Sequence, residues 1–155
     1  MNQEDKTQDL EFIRKAYVDN INFTYIKKSN IHGQGLFASE NIKKGTILGF
    51  LDGQVMSWDH WDSIRDEIKE QMGKYEKYIL MEYNIIDPQT LLVRPFRTKY
   101  SLINHSKDAN VKIEYNPMRI VTISDIRKDE ELRLDYNNEP MREGMSKSDK
   151  KEYLK

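Results

Sequence analysis

The chain has 155 residues, with 25 Lys+Arg against 26 Asp+Glu and no Cys. That length is one domain's worth, and a net charge of −1 argues against a protein whose main work is neutralising phosphates or anionic lipid. The missing cysteines exclude disulfides, iron–sulfur clusters, thiol catalysis and cysteine zinc sites together.

Aromatic residues make up 10% of the chain, including nine Tyr, too many for a disordered polymer. The amino terminus, Met-Asn-Gln-Glu-Asp-Lys, has no apolar stretch of the secretory kind. No run of about 18 apolar residues occurs. A soluble cytoplasmic or nuclear protein is therefore expected, with no membrane and no direct nucleic-acid partner. A secreted effector without a readable signal stays open.

Leu10, Ile13 and Tyr17 are spaced three and four apart and predict a short amphipathic helix, within an N-terminal extension over residues 1–20. Strands are predicted over 22–27, 36–38, 46–51 and 54–56, with turns at Lys44-Gly45 and Asp52-Gly53. Asp-Gly between apolar runs is a hairpin signal. Ser57 then caps the clearest helix, in which Trp58, Trp61, Ile64, Ile68 and Met72 form one stripe and Gly73 follows as the stop. The stripe is predicted to pack in the core, with a peptide groove as the alternative. Further strands are predicted over 75–83 and 91–93 around Asp87-Pro88, over 111–115 and 119–123 around Asn116-Pro117, and over 131–136. Residues 139–155 form a charged tail. Many short strands, one good helix and no βαβα alternation predict a mostly-β, α+β domain over residues 21–138.

Three segments carry chemistry. The first is His32-Gly33-Gln34-Gly35-Leu36-Phe37-Ala38, whose glycines let backbone approach a ligand closely. Its letters also fit a dinucleotide fingerprint, but that motif must open a helix in a βαβ unit, and Lys43-Lys44-Gly45 comes too soon. The second, Asn104-His105-Ser106-Lys107-Asp108-Ala109-Asn110, offers amide and imidazole groups to a polar ligand. The third, Asp129-Glu130-Glu131-Leu132-Arg133-Leu134-Asp135-Tyr136, reads as a charged turn entering a strand. His32, His60 and His105 lack metal-ligand spacing, and no metal site is expected.

In this order, the three segments resemble those of the SET-domain protein-lysine methyltransferases, over roughly residues 23–138. The resemblance implies a β-clip fold of small sheets, with a C-terminal pseudoknot in which the chain near Tyr136 threads past the Asn104 loop. It implies S-adenosylmethionine as cofactor and a lysine-bearing protein or peptide, such as a histone, as substrate. By resemblance, the backbone of His32, Gly33, Gln34 and Gly35 cradles the methionine part of the cofactor, and Asn104 and His105 hold its amino group and adenine. Tyr136 is the active-site tyrosine, and Tyr78 a second one shaping the cofactor and lysine pockets. Leu134 stands where the family often has Phe or Tyr lining the channel, which points to di- or trimethylation.

The departures bear on function. Lys107-Asp108-Ala109 replaces the family's Cys-x-Pro, Ser101-Leu102-Ile103 its Arg-Phe-Ile, and Asp129 its Gly. Without Cys, the zinc segment that closes the channel in many members cannot form. The tail with Tyr153 and Leu154, or a partner subunit in a homodimer, would have to close it. A non-catalytic SET-like binding module is the alternative reading.

Overall fold

The computed structural model describes residues 17–73 and 82–145. Among these residues, ten strands form three small sheets. β1 (Thr24–Lys28) and β2 (Gln34–Ala38) make an antiparallel pair. β3 (Ile47–Phe50), β9 (Arg119–Thr122), β8 (Val111–Glu114), β10 (Arg133–Leu134) and β7 (Asn104–His105) make a five-stranded sheet in the order β3-β9-β8-β10-β7. β4 (Gln54–Ser57), β6 (Thr90–Arg94) and β5 (Glu82–Ile85) make a three-stranded one. The one α-helix among the described residues, α1 (Trp58–Met72), packs on the last sheet. This is the mostly-β architecture expected from the sequence.

Local chemistry explains the elements that were legible. The Ser57 side chain accepts from the His60 N–H and caps α1, and Gly73 ends it with φ 52°. Asp87 accepts from the Gln89 and Thr90 N–H groups at 2.9 and 2.8 Å, fixing the β5–β6 turn. β8 and β9 form the predicted hairpin around Asn116-Pro117.

Other expectations are corrected. Asp52-Gly53 does not close a hairpin: β3 pairs with β9, while β4 pairs with β6. The chain changes sheets there, and the Arg94 guanidinium binds the Asp52 carbonyl at 3.3 Å. On α1 only Trp61 is buried, with Leu91 and Val93 beneath it; Ile64 and Ile68 are half-buried and Met72 is exposed. The helix rests on a three-stranded sheet, so its stripe is covered near Trp61 and less towards the C-terminal end. The strand expected over 131–136 is regular only at Arg133–Leu134, and a 3-10 turn begins at Tyr136. The first part of the strand expected over 75–83 lies outside the described residues, as do Leu10 and Ile13; Tyr17 is in no regular element.

The main core gathers Ile21, Leu36, Leu48, Ile103, Ile120, Leu132 and their neighbours from the two- and five-stranded sheets and the loops between them, with Leu92 from the three-stranded sheet. At its edge the chain crosses itself. β10 lies parallel to both β7 and β8, between the two ends of the 106–110 loop. Asn110, 1% exposed, clamps this crossing. Its amide donates to the Glu131 carbonyl at 2.9 Å, and its oxygen accepts from the Arg133 N–H at 2.7 Å. This is the late strand passing the Asn104 loop, as the pseudoknot requires.

Asn110→Ala strips the Arg133 N–H of a partner inside the protein. It is expected to lower the unfolding free energy by about 1–3 kcal/mol, the cost of a buried unsatisfied group. Urea unfolding at constant slope measures this, and an unmoved midpoint would show that the clamp is dispensable.

Candidate active site

The first and third segments meet because β2 has two occupied edges. One pairs with β1. Along the other, Ala38 N–H donates to the Glu130 carbonyl and Leu132 N–H to the Leu36 carbonyl, at 2.9 and 2.8 Å. β2 is thus a strand and opens no helix, which disposes of the dinucleotide context. Gly35 is buried, and a side chain there would collide with the Glu131 carboxylate. Gly33 has φ +48°, a left-handed conformation, with open space where a Cβ would stand. The backbone before β2 is therefore bare and exposed.

The second segment joins them. The Asn104 amide nitrogen donates towards the His32 carbonyl at 3.0 Å, the Gln34 carbonyl at 3.2 Å and Glu131 Oε1 at 2.9 Å. Glu131 is held in turn by the Ser29 hydroxyl, at 2.7 and 2.9 Å to its two oxygens. Ser29 Oγ also accepts from the Ile31 N–H at 2.8 Å. Asn104 is placed by its pairing with Arg133 across β7 and β10.

Next along β7, His105 Nδ1 accepts from the Tyr136 N–H at 3.1 Å. That assigns the neutral ring's proton to Nε2. Asp135 lies 3.8 Å from the same Nδ1, but a lone pair already taken by an N–H has no proton to offer it. The His105 and Tyr136 rings are 5.1 Å apart, and the Tyr136 hydroxyl donates to the Ile103 carbonyl. So His32, Gly33, Gln34, Gly35, Asn104, His105 and Tyr136 are brought together. Leu134 is 3% exposed in the main core, two residues before Tyr136. Tyr78, Tyr153 and Leu154 lie outside the described residues.

Four residues here were not singled out from sequence. Ser29 and Glu131 fix Asn104; Glu131 stood inside the third segment, but only β2's second edge reveals its role. Tyr100 and Glu139 meet behind Tyr136, where the Tyr100 hydroxyl donates to Glu139 Oε1 at 2.7 Å. Tyr100 is half-buried as a residue, yet its hydroxyl end is enclosed. Burial first, then the Glu139 charge, hold its pKa well above the ordinary 10. Burial also raises the Glu139 pKa above its ordinary 4.5, against a lowering by the Tyr100 bond.

A family model of the SET domain matches residues 33–137, more than half of the chain, and the protein belongs to that family. No curated protein matches the chain. The cofactor usual in the family, S-adenosylmethionine, carries an ammonium and a sulfonium. The residues suit those cations. Three acceptor oxygens crowd one Asn104 amide nitrogen, which has only two hydrogens. One of the three, the His32 or Gln34 carbonyl or Glu131 Oε1, is thus left over for a cationic donor.

Glu139 gives a pH test. A carboxyl whose pKa is raised on folding contributes stability that is present below pH 4.5 and lost as pH rises through the raised value. Glu139→Gln cannot ionise. The variant is expected to gain stability relative to wild type near neutral pH, with the gap closing towards pH 4. Thermal unfolding across that window checks it; a pH-independent gap would refute the burial argument.

Proposed function

We propose that the protein is an S-adenosylmethionine-dependent protein-lysine N-methyltransferase. The observation that carries this reading is the convergence of the His32 and Gln34 carbonyls and Asn104 beside the His105–Tyr136 pair. Family membership supports it. When bound, the cofactor supplies an electrophilic methyl on a positively charged sulfur. Asn104, with the bare carbonyls around Gly33, would hold its amino group, and His105 would offer Nε2–H to the adenine.

The nucleophile must be a neutral amine. With a reference pKa of about 10.4, neutral lysine at pH 7 costs about 4.6 kcal/mol. An apolar channel and a nearby positive charge both disfavour the ammonium and offset that cost. No strong general base is then needed. The Tyr136 ring can line the lysine stem. Its hydroxyl donates to the Ile103 carbonyl, so towards the amine or a methyl C–H the oxygen would act as an acceptor. Weak contacts of the latter kind are worth about 0.5–1 kcal/mol each, so positioning carries more of the rate. Leu134 leaves more room than Phe or Tyr would and favours di- or trimethyl products. Tyr78 is the second tyrosine of this reading, and a lysine-bearing protein its substrate.

Among the described residues no helix is long and apolar enough to cross a membrane. A cytoplasmic or nuclear site of action fits the reading, as does a homodimer in which a second copy closes the channel.

Calorimetry with S-adenosylmethionine and a radiolabelled-methyl assay on histones and total lysate test the proposal together. Wild type is expected to bind and to label lysine. Tyr136→Phe is expected to bind comparably while turnover falls on the order of 10²-fold, the scale of lost positioning. Binding without any transfer would favour the non-catalytic module. No binding at all would overturn the cofactor assignment.

A further inference from the structure

Tyr136 begins a one-turn 3-10 helix, Tyr136–Asn138, in which Glu139 N–H donates to the Tyr136 carbonyl at 3.3 Å. In such a turn residues i and i+3 eclipse, so Tyr136 and Glu139 share one face. Two side-chain bonds tie that face to the turn just before Asn104, the 3-10 helix Lys99–Leu102 and its cap Ile103. The Tyr136 hydroxyl donates to the Ile103 carbonyl, and the Tyr100 hydroxyl donates to Glu139 Oε1 at 2.7 Å. Upstream, the Tyr136 backbone is already pinned by His105 Nδ1 at 3.1 Å.

We propose that Tyr100 and Glu139 are a positioning pair that sets the Tyr136 ring against His105. The inference rests on the reading of Tyr136 as the active-site tyrosine. The His105 bond fixes the Tyr136 N–H and the Ile103 carbonyl fixes its hydroxyl, but neither holds the 3-10 turn that sets the direction of the ring. The Tyr100–Glu139 bond, three residues on and on the same face, anchors that turn.

Tyr100 is itself well anchored. The Arg94 guanidinium lies over its ring at 5.6 Å. Arg94 binds Glu82, and it donates to Asn84 Oδ1 at 2.7 Å. Thr98 donates its hydroxyl to Glu82 Oε2 at 2.6 Å and accepts from the Tyr100 N–H at 3.3 Å. The Asn84 amide nitrogen is buried without a well-formed hydrogen bond of its own, yet lies near enough to the Tyr100 hydroxyl to lower its pKa. The hydroxyl's single proton goes to Glu139. A polar chain thus runs from the buried Glu82–Arg94 pair, through Thr98 at the Tyr100 N–H and the guanidinium over the Tyr100 ring, to Glu139 on the turn bearing Tyr136.

The test compares Tyr100→Phe, Glu139→Ala and Glu139→Gln with wild type, using tyrosine ring NMR with Tyr136 assigned through Tyr136→Phe. Tyr100→Phe removes one oxygen and keeps the ring, so it perturbs the fold least. The Tyr136 ring signals are expected to move in Tyr100→Phe and Glu139→Ala and to return in Glu139→Gln, which keeps the acceptor. In the methyl-transfer assay the first two variants are expected to lose kcat about tenfold or more at little-changed cofactor affinity, with recovery in Gln. Tyr136 signals unmoved in Tyr100→Phe, or equally displaced in Glu139→Gln, overturn the inference. A wild type without transferase activity overturns the functional reading instead, while the NMR comparison still decides the pair.

Discussion

β10 has only two residues, yet both of its edges are filled. Arg133 and Leu134 pair with Asn104 and His105 on one side, and Leu134 with Val111 on the other. A two-residue strand makes too few backbone bonds to hold such a crossing alone. Side chains complete it: Asn110 bonds backbone on both sides of Leu132, and Leu132 and Leu134 are buried in the core. The site depends on this crossing. Asn104 and His105 come from one strand and Tyr136 from the end of the other, so their relative placement is set by strand register.

The site is assembled mainly from backbone and amides. His32 and Gln34 contribute carbonyls, Gly33 contributes bare space, and Asn104 gathers them. Carbonyls on a hydrogen-bonded strand cannot drift as a long side chain can, so a cationic ligand meets acceptors already oriented. The one carboxylate, Glu131, is tied down by Ser29 and lies against Gly35. This explains why the second glycine matters: it makes room for a protein side chain, whereas the first leaves the backbone open to solvent or ligand.

What could be read in the sequence was what is local. The helix from Ser57 to Gly73 announced itself by cap, stripe and stop. The 111–122 hairpin did so by alternation and a turn. The order of three short motifs pointed to the site as a whole, because each motif is a backbone feature carried by a few consecutive residues. Long-range pairing was not legible. β7 has two residues and therefore no period, and the Asn104 loop looked like any polar loop. Asp52-Gly53 carried hairpin letters, but the partners of β3 and β4 lie 69–74 residues away in β9 and 33–39 away in β6. Glu82 and Arg94 face each other across β5 and β6, a contact that only the register discloses.

That buried pair has a consequence for the site. Removing one partner would strand a charge in the protein interior, a loss of about 3–5 kcal/mol in comparable cases. Such a pair contributes less to net stability than to uniqueness of arrangement. Here the uniqueness is exported. The guanidinium fixes Asn84 and stacks on Tyr100, Tyr100 meets Glu139, and Glu139 sits on the turn of Tyr136. Of the buried apolar residues in the sheet beneath α1, Leu92 joins the core of the sheet carrying Asn104, while Leu91 and Val93 pack with Trp61 in a separate apolar cluster. Oil-like contact between the two sheets is therefore a weak source of alignment, and directional bonds between charged and hydroxyl groups are a strong one. A tyrosine whose task depends on tenths of an ångström is better served by the second kind.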